Sequence, residues 1–406
     1  GLTGCRVAAL DFATGLATSW NPNSGGTVYS LGVAGGSVYV GGDIKTVGGQ
    51  ARNNVAALDA FGAPTTWSPN VDSQIEALAV AGGTVYVGGW FTSAGGQVRN
   101  RIAALDATTG LATSWNPNAN NLVYALAVAG GTVYAGGDFT TIGGQARNHI
   151  AAFVEGSTGA ATSWNPNADG TVSALAVNGA TVYAGGAFTS IGGQARNRLA
   201  ALDGTTGSAT SWDPNADNQI KALTLADGTV YAGGYFSTLG AHARNRAAAL
   251  LAASTGAVTA WNPGANSTVF ALAVDGATVY AGGFFNSIGG QARIGLAALD
   301  GTSGLATSWN PNPGGGSVKF LAAVNGVVYA GGNFSTMGTQ PAGYFAQFGG
   351  PVPAPVSGNA VRPYPNPFRP SRGHTVMTID QLPSNATVKI YTLSGALVRE
   401  LTASDL

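Results

Sequence analysis

Short apolar runs broken by turn chemistry set the rhythm of this chain. Residues 122–153 read "LVYALAVAGGTVYAGGDFTTIGGQARNHIAAF" and, after a Thr-Gly turn, "ATSWNPN" follows at 161–167. Apolar residues recur in runs of four to eight, rich in Val, Tyr and Ala, with no stretch at helical period long enough to compete. Each unit therefore predicts four strands, here Val123–Val128, Thr132–Phe139, Ile150–Val154 and Ala161–Trp164. Gly-Gly or Asn-Gly joins the first two, a pairing suited to the positive φ of tight hairpins. Asp-x-x-Thr-Gly joins the third to the fourth, as at Asp106–Gly110, where the carboxylate can cap its own turn and Gly can turn left-handed.

The pattern repeats. Trp20, Trp67, Trp115, Trp164, Trp212, Trp261 and Trp309 stand 47, 48, 49, 48, 49 and 48 residues apart, while Trp90 falls out of phase. Glycine pairs starting at Gly41, Gly88, Gly136, Gly185, Gly233, Gly282 and Gly331 keep the same beat. A four-stranded unit of about 48 residues, too long for a β-helix coil and without a helix, predicts an all-β fold, a seven-bladed β-propeller spanning residues 1–348. Strand counting adds an expectation about closure. The third strand occurs at both ends of the array, as "RVAALD" (Arg6–Asp11) and "GYFAQF" (Gly343–Phe348). The simplest ring takes residues 318–348 for the last blade and completes it with the strand around Trp20, which leaves Arg6–Asp11 as a surplus strand. An eight-bladed ring is the alternative.

The pattern changes after Phe348. "GGPVPAPVSGNAVRP" (349–363) reads as a Pro/Gly-rich linker. In residues 364–406, "TVMTIDQL" and "TVKIYTLSGALVREL" alternate in the β manner, the latter with a hairpin at Ser394-Gly395. This predicts a small, partial immunoglobulin-like β-sandwich.

Composition narrows the functional classes. Charged residues make up 9% of the chain, with 18 basic and 18 acidic side chains, so no footprint for nucleic acid or an anionic membrane exists. No apolar run reaches the length of a membrane-spanning helix. No leader is present at Gly1, so a mature or truncated chain is expected. Cys5 stands alone, which leaves no disulfide or cysteine metal site to hold the fold.

Catalytic and metal-binding patterns are weak. His149, His242 and His374 share no ligand spacing, and the repeated carboxylates Asp11, Asp59, Asp106, Asp203 and Asp300 are spread around the array, where a glycosidase needs two that converge. No calcium loop of alternating Asp appears. The expectation is no enzyme, no metal and no cofactor. Arg52, Arg99, Arg147, Arg196, Arg244 and Arg293 share one loop position. They read as donors to loop carbonyls or as stacking partners of a tryptophan, with an anion-binding ring as the alternative.

Two columns vary where the rest repeats. Two residues before a repeated Leu stand Tyr29, Glu76, Tyr124, Ser173, Lys221, Phe270 and Lys319; directly after the Gly pair stand Asp43, Trp90, Asp138, Ala187, Tyr235, Phe284 and Asn333. Both columns belong near one face, where loops on a rigid scaffold bind. The candidate ligand-binding residues are thus Trp90, Tyr235 and Phe284, supported by Tyr29, Tyr124 and Phe270, with Glu76, Lys221 and Lys319 adding polar contacts. Tyr235 and Phe284, on neighbouring blades, could hold consecutive sugar rings. A neutral polymer is expected, with little salt dependence.

Two resemblances add to this reading. "VYAGGDFTTIGGQARNHIA" (133–151), with the Trp-Asn-Pro-Asn segments, resembles the delta-60 β-propeller repeat family over residues 5–348. That implies a propeller and transfers no catalytic residue. "YPNPF" (364–368), "LP" (382–383) and "VKIYTLSGALVREL" (388–401) resemble the C-terminal sorting domain of the bacterial type IX secretion system, of which about the first half is present. It implies engagement of the secretion machinery and a secreted or cell-surface location in a bacterium. The combined expectation is a non-catalytic binding or adhesion module for an extracellular glycan or protein. A self-assembling sheath or filament subunit is the alternative, and a glycan-active enzyme ranks third.

Overall fold

The computed structural model describes residues 7–16, 20, 22–253, 255–324 and 326–338, and beyond them the backbone of four short strands. The chain divides into two compact units, Gly1–Gly349 and Gly350–Leu406. Among the described residues of the first unit are seven three-stranded antiparallel sheets. In one of them, Val123–Ala129 is the inner strand, Thr132–Gly137 the middle and Ile150–Val154 the outer. Gly130 and Gly131, with φ of +56° and +75°, make the inner hairpin, as the two positive-φ positions of such a turn require.

The middle-to-outer connection holds more structure than the sequence pattern predicts. Its "TIGGQA" stretch is a two-residue ribbon, Thr141–Ile142 against Gln145–Ala146. The fourth run of the unit is shorter than expected. It meets the outer strand in a single antiparallel bridge, Leu105↔Ala112 and Phe153↔Ala161 for example. The repeated arginines fix this segment: Arg99 Nη2 donates to Thr113 O (2.7 Å) and Arg147 Nη2 to Thr162 O. Asp106 caps its own turn through Oδ1, which accepts from the backbone N–H of Thr108 and Thr109 and from the Thr109 hydroxyl.

The core lies between sheets, in one buried cluster per neighbouring pair. Each repeated tryptophan meets the middle-strand tyrosine of the preceding sheet edge to face, as Tyr86 meets Trp115 at 5.3 Å and Tyr134 meets Trp164 at 5.3 Å. Five of the indoles also donate to a backbone carbonyl 39 residues along the repeat, as Trp67 Nε1 does to Asp106 O (2.9 Å). The first glycine of each pair is required by packing. A Cβ on Gly282 would lie 2.6 Å from Val318 Cγ1 of the next sheet, closer than two carbons can sit.

Closure corrects the expectation drawn from strand counting. Val7–Asp11 is the outer strand of the last sheet, paired from Val7↔Gly331 to Asp11↔Val327, and is not surplus. Trp309 Nε1 donates to Asp11 O (2.7 Å), repeating across the chain ends the bond made within the array. Trp20 sits edge-on to Tyr329 at 5.3 Å, and a Cβ on Gly331 would meet Val28 Cγ1 at 2.9 Å. The inner strand Val318–Val324 packs on Val269–Asp275 on one side and on Thr27–Ala34 on the other, so the sheets close a ring. The physical reason is burial. Val7, Ala8, Ala9 and Leu10 are all buried, and their small-residue pattern matches the other outer strands such as Ile102–Asp106. Gly343–Phe348, which departs from that pattern, lies outside the described residues.

In the second unit, Arg362–Tyr364 pairs with Thr378–Asp380 and Val388–Tyr391 with Leu397–Leu401, both antiparallel. The first of these strands begins inside the stretch read as linker. The Ser394-Gly395 turn lies outside the described residues. Among the described residues, no helix is long and apolar enough to cross a membrane.

Candidate functional site

Each inner strand carries one residue too many for its partner. Val123 pairs with Gly137 and Ala125 with Gly136, so Tyr124 is bulged out between them. The same shift falls at Tyr29, Glu76, Ser173, Lys221, Phe270 and Lys319. A bulge re-aims its extra side chain, and the second glycine of each pair makes room for it. A Cβ on Gly137 would run into Leu122 O, and one on Gly332 into Ser317 O. The first variable column is therefore the bulge column, and all seven of its residues line one cavity of about 570 Å³, bounded beneath by the leucines of the inner strands. The connections before the inner strands and after the middle strands lie together, since Asp72 Oδ1 accepts from Thr92 N and Asn120 N donates to Thr141 O.

The second column divides. Asp138 and Tyr235 line the cavity, but Trp90 and Phe284 do not. Trp90, 48% exposed, supports the lining by donating from Nε1 to Glu76 Oε1 (3.1 Å). Phe284, 67% exposed, stands outside it. The expected Tyr235–Phe284 pair is thus replaced by another: Tyr235 meets the bulged Phe270 of the next sheet edge to face, with centroids 6.2 Å apart.

The polar groups of the cavity sort by sign. Glu76 also accepts from Gln74 Nε2, while Asp138 accepts from the Tyr124 hydroxyl (3.0 Å) and from Thr171 Oγ1. Burial raises the Glu76 carboxyl above its ordinary value, against the hydrogen bonds from Trp90 and Gln74 and the charges of Lys221 and Lys319. The two ammonium groups stand over rings instead: Lys221 Nζ lies 5.9 Å from the Tyr235 centroid and Lys319 Nζ 3.7 Å from that of Phe270. Burial pushes both lysines below the ordinary value, with Glu76 opposing; Lys221 adds repulsion at Lys319. Tyr124 is raised, by burial first and then by Asp138.

Three further residues at the site come from a column that sequence reasoning missed. Gln74, Thr171 and Gln219 precede the β-branched residue that opens the inner strand, and their side chains bond to Glu76, Asp138 and Ser173. The signal was available, because this column also varies among Thr, Gln, Leu and Ser. Among the described residues, no group of three His, Cys, Asp or Glu is placed to hold a metal ion.

Sheets that succeed one another around a closed ring, with one residue from each inner strand lining the centre, define a β-propeller. Residues 83–108, the middle-to-outer part of one unit, match a family described as a domain of unknown function (DUF5122) beta-propeller. No curated protein matches the chain. Among solved structures, the WD40 beta propeller domain of Doa1 is similar at 10% identity, with 83% of this chain and 99% of that chain covered and a TM-score of 0.54. The computationally designed Ika8 protein is similar at 16% identity, with 78% and 96% covered and a TM-score of 0.51. At such identities the likeness concerns the fold alone.

Proposed function

We propose that this chain is a seven-bladed propeller acting as a non-catalytic binding or adhesion module, with its ligand, a glycan or a peptide, taken at the mouth of the central cavity. One observation carries the reading. The bulge column varies among Tyr, Glu, Ser, Lys and Phe and converges on one cavity, while the residues between sheets repeat. Aromatic faces beside hydrogen-bonding groups suit sugar rings, and the cavity volume lies within the range of small-ligand pockets. The second unit, through its resemblance to a sorting domain, fits a partial immunoglobulin-like module that delivers the propeller to a bacterial surface or beyond.

A glycan array probed with the whole chain tests this. Hits should weaken on Tyr235→Ala, by up to about 2 kcal/mol if the ring is an anchor, and hold on Phe284→Ala, which removes a ring outside the cavity. Affinity unchanged by Tyr235→Ala would sink the assignment.

The self-assembling structural reading has its own support. Leu16, Phe61, Leu111 and Leu305, each in the turn after an outer strand, are exposed by 61% or more. Regular polymers in negative-stain micrographs, lost on Phe61→Ser with Leu111→Ser, would favour it over ligand binding.

A further inference from the structure

The two signs of charge in the cavity are treated differently. Both carboxylates already accept two side-chain donors: Glu76 from Trp90 and Gln74, Asp138 from Tyr124 and Thr171. Lys221 and Lys319 are half-buried, donate no hydrogen bond and enter no ion pair among the described residues. Their neighbours are the faces of Tyr235 and Phe270, which themselves touch. A lysine ammonium is a compact, strongly hydrated charge, and a ring face replaces only part of the water it gives up. Asp138 therefore holds a donor on each oxygen and Glu76 two on Oε1, whereas neither ammonium group donates a hydrogen bond.

From this we infer that the ligand is acidic, an oligosaccharide carrying a carboxylate, with that carboxylate held between Lys221 and Lys319 and an adjoining sugar ring resting against Tyr235 and Phe270. The inference rests on the binding-module reading and changes the expected ligand from neutral to anionic. A glycan is favoured over an acidic peptide because the remaining lining offers hydroxyl-matching groups, Ser173, Gln219 and Thr171, beside ring faces. Cationic partners are disfavoured, because both carboxylates already hold internal donors while neither ammonium group holds an acceptor among the described residues.

The test uses the whole chain, a trimer of galacturonic acid, the same trimer with its carboxyls reduced, and a hexamer of glutamate, each followed by calorimetry. The acidic trimer should bind about tenfold more tightly than the neutral one at low salt, as expected for partly buried charge pairs. High salt should narrow the gap. Lys319→Met and Lys221→Met should each erase most of it, the acidic trimer losing more affinity than the neutral one. Thermal melts confirm that the variants are folded, and the salt titration of the unmodified chain tests the same charge without any variant. Equal binding of both trimers would overturn the anionic inference and leave the binding module standing, as would a gap that survives both substitutions. Tighter binding of the glutamate hexamer would overturn the glycan assignment in favour of a peptide. Failure of every probe would overturn the inference, and an empty glycan array beside it would remove the underlying reading too.

Discussion

Between sheets and at the bulge, the same seven units behave in opposite ways. At the sheet interface, the units repeat Trp, Tyr and a Gly pair. One strand inward, the bulged residue is Tyr, Glu, Tyr, Ser, Lys, Phe and Lys in turn. The backbone repeats at both places, so backbone geometry does not explain the difference. The neighbours do. A side chain between sheets meets a close-packed partner on the next sheet, where one added carbon is felt, while a bulged side chain meets open cavity. Uniformity thus marks the contacts that close the ring, and variation marks the surface free to take on chemistry.

The largest expected effect tests closure. Deleting residues 1–11 removes the outer strand of the last sheet and the carbonyl that receives Trp309 Nε1. It should lower Tm by more than about 10 °C, given a lost strand and an exposed edge. A truncated chain that melts with the whole one would mean the ring closes without Val7–Asp11.

A smaller effect sets the two regions side by side. Gly282→Ala places a Cβ 2.6 Å from Val318 Cγ1 and 3.2 Å from Leu321 Cδ1, which should cost about 2 kcal/mol in chemical denaturation. Adding Val318→Ala should recover about 1 kcal/mol of coupling. Ser173→Val enlarges a side chain at the bulge and should stay within about 0.5 kcal/mol of the parent. Equal costs at the two places would erase the distinction on which the site assignment stands.

Much of the scaffold was legible because it rests on local chemistry. The period, the hairpin glycines, the self-capping Asp106 and the arginines that hold loop carbonyls all follow from residue type and spacing. Closure was misread because two segments competed for one edge, and what decides between them is burial on both faces, which Val-Ala-Ala-Leu suits. The bulge was hidden for another reason. Strand alternation does not mark an extra residue, although the Gly pair opposite Tyr124 was its trace. The first variable column pointed to residues that line one cavity, yet the columns could not say that Trp90 would brace Glu76 or that Tyr235 would turn to Phe270. Those choices depend on rotamers set by the neighbouring sheet. In the missed column, Thr171 and Gln219 line the cavity themselves, and Gln74 reaches it through its bond to Glu76.

One tryptophan departs from the uniform set and allows a finer test. Trp115 Nε1 is buried without a hydrogen-bond partner. The equivalent carbonyl, Val154 O, receives the Ser157 hydroxyl instead (2.7 Å). Trp67→Phe should therefore cost about 1 kcal/mol more than Trp115→Phe, the net worth of one hydrogen bond. Equal losses would show that the indole bonds add nothing to the aromatic contact.

The smallest expected effect is a pair of opposite pH slopes, one from each region. Asp106, in a scaffold turn, is held below its ordinary value of 3.8 by the N–H and hydroxyl of Thr109 and the N–H of Thr108. Its contribution is present above the unfolded value and is lost as pH falls through the folded one, so Asp106→Asn should matter near neutrality and fade in acid. Glu76, at the cavity, is raised above 4.5 by burial. Its folded form holds the proton more tightly, so its contribution is present below the unfolded value and is lost as pH rises through the raised one. On a climb that starts below 3.8 and ends above 4.5, Asp106→Asn should lose ground on the parent chain up to about its unfolded value and then hold level, while Glu76→Gln should gain on the parent from 4.5 upward. Parallel melting curves for the two variants across that window would mean that the cavity carboxylate is as well solvated as the turn carboxylate, and the contrast between interface and cavity would lose its electrostatic half.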